Sequence, residues 1–185
     1  MKYVIAFILA ASMASNGFSQ RYYTKNGQID FDATSPASPE RIDAVNRSAT
    51  CVMDTKTGAL QFAVLMKGFQ FERALMQEHF NENYIESDRF PKAEFKGTIV
   101  NNETVNYEKE DSYSVKVKGN LTLHGETKEI ETEGKLVVSN GKILATSDFK
   151  VLLADYHISV PGIVANKVSK SASIKIACSL EPLKN

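Results

Sequence analysis

Short segments in which apolar and polar side chains alternate recur along nearly the whole chain, and this period of two restricts the fold more than any other feature. It predicts eight strands, near Gln28 to Ala33, Ala44 to Met53, Ala59 to Met66, Ala93 to Val100, Tyr113 to Leu123, Lys128 to Val138, Lys142 to Leu152 and Lys167 to Leu180. The connections agree. Asn140-Gly141 lies between two strand patterns, where residues that tolerate positive φ favour a two-residue hairpin turn. His124-Gly125 plays a similar part, and Asp54 to Gly58 suits a longer hairpin loop with Gly at the left-handed position. Strands joined by such turns pair antiparallel, so an up-and-down arrangement follows.

The alternation also assigns faces. Val115, Val117, Leu121, Leu123, Ile130, Leu136, Val138, Ile143, Phe149 and Val151 form one apolar row, with Lys116, Lys118, Glu129, Glu131, Glu133 and Lys150 mostly opposite. Eight strands with one oily face make either a sandwich or a closed barrel, and closure leaves no unpaired edge. The pattern alone does not choose between them.

Two segments break the alternation. From Phe69 to Phe80 the apolar residues Phe71, Leu75, Met76 and His79 or Phe80 recur at helical spacing, predicting one helix of about three turns that Asn81 to Asn83 would end. Phe90-Pro91 then forces an extended approach to the next strand. The stretch from Asp155 to Ala165, apolar and broken by Pro161-Gly162, suits a loop over a barrel mouth.

Lys2, the apolar run from Tyr3 to Ala11 and the small residues that follow have the composition of a secretory signal peptide over residues 1–19, with cleavage after Ala14 or Ser19. No Cys follows the run until Cys51, so lipid anchoring is not expected, and no later segment is apolar enough for stable membrane insertion. Residues 20–185 are expected to form one domain. Loss of Lys2 leaves 21 basic residues against 22 acidic ones, so the mature chain carries no charge that would draw nucleic acid. Cys51 and Cys178 fall in predicted strands near opposite ends of the chain. An oxidising compartment permits one bridge between them; the alternative is two separate buried thiols.

Two motifs carry a resemblance. Glu86-Ser87-Asp88-Arg89-Phe90-Pro91 with Phe95 fits an acidic-Ser-Asp-aromatic-Pro pattern followed by Phe, and Leu121, Thr122, Leu123, His124, Gly125, Thr127 and Lys128 fit a Leu-Thr-apolar-His-Gly-x-Thr-Lys pattern. With the order of the strands they resemble the YceI-like family over nearly the whole mature chain. The resemblance implies an all-β, eight-stranded, antiparallel up-and-down barrel of lipocalin type, with one short helix between strands 3 and 4. It further implies a periplasmic or secreted protein whose lumen holds a long-tailed amphiphile, such as an isoprenoid, an isoprenoid quinone or a fatty-acyl lipid. No other cofactor is implied, and a homodimer is left open.

The physics is compatible with such a ligand. A strand of about 11 residues rises roughly 36 Å before tilt. Ten buried methylenes contribute about 8 kcal/mol before ordering costs. The residues expected to line the lumen are Phe62, Val64, Phe95, Ile99, Val117, Leu121, Ile130, Ile143 and Phe149, with Leu75 and Met76 from the helix. The competing reading is that they fill a solid core.

Catalysis finds less support. The histidines His79, His124 and His157 are far apart in sequence, with no His-Glu-x-x-His zinc motif and no Gly-x-Ser-x-Gly elbow. His124 reads as a turn residue bonding locally. An acceptor-rich loop from Asn81 to Asp88 has the oxygens that calcium uses, but not an EF-hand spacing, and turn chemistry explains it better. The alternatives are an enzyme acting on a lipid, through His79 or His124 with neighbouring acids or through Ser87, His79 and Asp88, and an interaction module with a filled barrel.

Overall fold

A computed structural model describes residues 21–183. The expected signal peptide lies outside the described residues. The chain runs through β1 (Arg21–Thr34), β2 (Asp43–Asp54), β3 (Ala59–Leu65), the two-residue β4 (Gln70–Phe71), α1 (Ala74–His79), β5 (Lys92–Ile99), β6 (Asp111–Leu123), β7 (Glu126–Ser139), β8 (Lys142–Leu152) and β9 (Val168–Pro182). Every pairing is antiparallel, in the order β1-β9-β8-β7-β6-β5-β3-β2, and β1 pairs again with β2. The sheet is therefore a closed barrel of eight strands, as the family resemblance implies. Closure gives the first strand partners on both sides and removes the edges that an open sheet would present.

The turns form as their residues dictate. Ser139 faces Lys142 across Asn140 and Gly141, which adopt φ of 52° and 69°, and Leu123 faces Glu126 across His124 and Gly125 at 51° and 80°. Both are two-residue hairpins with positive φ at each central position, which matches the twist of the flanking strands. Gly58 has φ of 73°, while the Asp54 carboxylate accepts from the backbone N–H of Lys56 and Thr57. On β1 the register shifts on either side of Gly27, so the strand bends there. A side chain has no room at that bend, since a Cβ on Gly27 would lie 2.5 Å from the Cys178 sulfur.

The helix differs from its sequence pattern. Phe69 to Phe71 is extended, with Gln70 and Phe71 paired to Val45 and Ala44 of β2. α1 has only six residues and runs into a π-helical turn over Phe80–Tyr84, so Asn81 to Asn83 continue the coil instead of ending it. A short helix is costly to nucleate, and here it competes with strand pairing and with an aromatic cluster that takes Phe69 and Phe71. The cluster is Phe31, Phe69, Phe71 and Phe80, with Phe80 lying 5.6, 5.7 and 4.9 Å from the other three ring centroids. No helix among the described residues is long and apolar enough to cross a membrane.

Candidate functional site: an apolar lumen and its mouth

The inward face of the barrel carries the apolar row expected from the alternation, while the outward lysines and glutamates of β6 and β7 are exposed. At one end Tyr22, Cys51, Met53, Val138, Ile143, Cys178 and Leu180 pack into a tight cluster, and Val105 and Tyr107 from the β5–β6 connection close over it. Cys51 and Cys178 are free thiols in this cluster. Around the middle the side chains stop meeting. A cavity of about 160 Å³ runs between them, with walls that include Phe62, Phe95, Val117, Leu121, Ile130, Phe149, Ile174 and Ile176. Several of these inward apolar residues, among them Phe62, Ile130, Ala145 and Phe149, are only half-buried. Their remaining accessibility faces the hollow.

Small residues make that space. Gly134, Ala145 and Ser147 line one wall, where longer side chains would reach the centre. On the neighbouring strands Gly97 and Gly119 face each other across β5 and β6. A Cβ on either would lie 2.5 or 2.7 Å from the Phe95 Cζ, so the Phe95 ring lies flat over the glycine pair instead of projecting inward. Alternation marks which residues point inward, but not how far they reach, so the five small positions Gly97, Gly119, Gly134, Ala145 and Ser147 escaped the sequence reading.

Of the residues expected in the lumen, Phe62, Val64, Phe95, Ile99, Val117, Leu121, Ile130 and Phe149 line the cavity. Ile143 does not: it is wholly buried in the closed end. Leu75 and Met76 also lie elsewhere, because the helix starts later than its pattern suggested. They line a second, outer cavity of about 360 Å³ at the mouth, together with Ala33, Ile42, Phe71, Tyr84, Val164 and Val168, and with Glu40, Arg73, His79 and Lys167 at its rim.

The two motifs meet at the mouth. The His124 Nδ1 lies 2.8 Å from the Tyr156 carbonyl, which only accepts, so Nδ1–H donates. The Glu86 carboxylate stands 3.4 Å from His124 Nε2, and Phe90 packs edge-on against the ring at 4.6 Å between centroids. His157 Nδ1 lies 3.1 Å from a Glu126 oxygen. The His-Gly hairpin thus ties down both the segment after the helix and the loop after β8. Its hydrogen bond spans 32 residues, so the local role expected for His124 is corrected. The signal missed is tertiary: nothing near His124 in sequence points to Tyr156.

Hydrolytic geometry does not assemble here. Ser87 is buried, Asp88 turns outward onto Lys67, and His79 is exposed at the outer cavity. In the acceptor-rich loop the Asn81 amide donates to the Gln77 carbonyl, and Ser87 N–H donates to the Asn81 carbonyl. These are turn bonds.

Comparison with known proteins decides the family. A YceI-like domain model matches residues 9–180. This chain belongs to the YceI-like family. No curated protein matches it in sequence. Among solved structures, a polyisoprenoid binding domain from Saccharophagus degradans superposes with a TM-score of 0.75 at 13% identity, covering 88% of this chain and 98% of that one. BcnA of Burkholderia cenocepacia gives 0.66 at 12% identity over 83% and 95% of the two chains. The Campylobacter jejuni YCEI protein gives 0.56 at 20% identity over 75% and 81%. At these identities the likeness is one of fold.

The closed end of this YceI-like barrel gives a pH prediction. Burial pushes the Tyr107 hydroxyl up to about 12 from 10.0 and the Cys178 thiol up to about 12 from 9.0. Both groups keep their protons in the fold at pH values where the unfolded chain has released them. Their contribution to stability is therefore complete below the unfolded values and is lost as pH rises through the folded ones. The melting temperature is expected to hold up to about pH 9 and to fall progressively towards about pH 12. Thermal melts by circular dichroism, compared with those of Tyr107→Phe, check this: the variant should lose part of the alkaline decline.

Proposed function

We propose that this chain is an exported carrier that encloses the hydrocarbon tail of an amphiphile, an isoprenoid, an isoprenoid quinone or a fatty-acyl lipid, in the barrel lumen. The observation that carries the reading is the hollow itself: a cavity whose walls are almost entirely hydrocarbon, with several inward apolar side chains, Phe62, Ile130 and Phe149 among them, only half-buried around it. Such a surface gains from burying methylenes and offers nothing to a polar solute. Membership of the YceI-like family and the likeness to a polyisoprenoid binding domain support the same class of ligand. The signal-peptide composition of residues 1–19 supports export to the periplasm or beyond.

Binding is favoured over catalysis because His124 is engaged in tethering the mouth, while His79 and His157 stand exposed on separate elements. Organic extraction of the purified protein followed by mass spectrometry tests the proposal. The expected result is one predominant prenyl or acyl compound released in near-stoichiometric amount. Turnover of an added lipid, abolished by His79→Ala, would replace carriage with catalysis.

A further inference from the structure

The lumen and the outer cavity share five wall residues: Phe31, Phe80, Ile85, Leu153 and Ile158. Phe69 touches only the lumen and Phe71 only the outer cavity, so the aromatic cluster stands between them as a partition. Since the far end of the barrel is packed, a tail reaching the lumen from the mouth must cross this partition. Size makes the crossing necessary. A cavity of about 150 Å³ accommodates a benzene-sized molecule, and the lumen at about 160 Å³ is of that order. A tail of several prenyl units overfills it, and the remainder requires the outer cavity.

We infer that the outer cavity is a second compartment of the same binding site, and that Phe80 is the gate joining them, setting the length of tail the protein accepts. The inference rests on the lumen reading and adds the ligand class: a slender, single-tailed amphiphile whose far end lies in the lumen and whose near end lies under α1.

The gate is mounted on a weakly held element. α1 buries none of its residues and has no side-chain cap at Arg73. It is held by the Gln77 side chain, which accepts from Phe71 N–H at 3.2 Å, and by the ion pair of Arg73 with Glu40. Phe80 opens the π-helical turn that follows, a geometry that recurs at functional positions. An element with few buried contacts opens at lower free energy than the barrel wall. Phe31, by contrast, stands on β1, paired on both sides. Swinging Phe80 away from Phe31 would merge the two cavities without disturbing a strand. The outer cavity suits the near end of an amphiphile, since its apolar floor meets the polar rim of Glu40, Arg73, His79 and Lys167.

The test is displacement of a fluorescent fatty acid from detergent-stripped protein by geraniol and by geranylgeraniol, which has twice its length. Phe80→Ala removes the partition and should shift binding in favour of geranylgeraniol over geraniol by about tenfold, the worth of roughly two buried methylenes. Met76→Trp fills the outer cavity from the helix surface and should shift it against geranylgeraniol by about tenfold. If Phe80→Ala does not fold by circular dichroism, Phe80→Leu and Met76→Trp decide the matter. Equal changes for both alcohols in these variants would overturn the gate and leave carriage standing. Absence of displacement from the wild-type protein by either alcohol would overturn both.

Discussion

Ala145→Phe is expected to weaken binding of a prenyl or acyl probe by at least about tenfold, the loss of roughly two buried methylenes, while the melting temperature stays close to that of the wild type. Ala145 sits on β8 opposite Leu136 of β7 and Cys178 of β9, on the inward face, and it lines the cavity. A phenyl ring there enters space that the ligand would occupy. In a solid core the same change would overpack, costing about 1–3 kcal/mol, or a fall of roughly 2–12 °C for a chain of this size. The pair of readouts therefore separates a hollow barrel from a filled one. Probe titration and thermal denaturation of one variant suffice, and a large loss of stability would speak for the filled barrel.

Gly119→Ala should act in the opposite way, on the wall rather than the space. A Cβ at position 119 would lie 2.4 Å from the Gly97 Cα and 2.5 Å from the Lys96 carbonyl, besides 2.7 Å from the Phe95 ring. Backbone cannot yield as the end of a flexible side chain can, so β5 and β6 must part or Phe95 must swing inward. The expected cost is about 2–3 kcal/mol, a fall in melting temperature of roughly 4–12 °C. Gly162→Ala is the control, since a Cβ there meets nothing within 4 Å. Equal melting temperatures for the two variants would show that the glycine pair is not a close approach.

The barrel wall was legible because it is built from local rules. Alternation marks strands, and Asn140-Gly141 and His124-Gly125 need positive φ, so strand order and neighbours follow from residues adjacent in sequence. Closure was not legible from pattern and came from the family resemblance. What local rules miss is competition between elements. Phe69 and Phe71 fit a helical period, yet β2 and the other aromatic rings hold them extended, which displaces Leu75 and Met76 to the outer cavity. Ile143 has the right face but the wrong height, at the packed end where neighbours meet. The hollow itself depends on residues that are small, such as Gly134 and Ala145, and smallness has no periodic signature.

A barrel whose interior is a space for hydrocarbon must take up a hydrocarbon probe at a single saturable site. Equilibrium titration of detergent-stripped protein with a fluorescent prenyl probe measures this. A hollow barrel gives saturation at one probe per chain and displacement by a prenyl quinone or a fatty acid. A signal that rises linearly with added probe, with no saturation and no displacement, would contradict it.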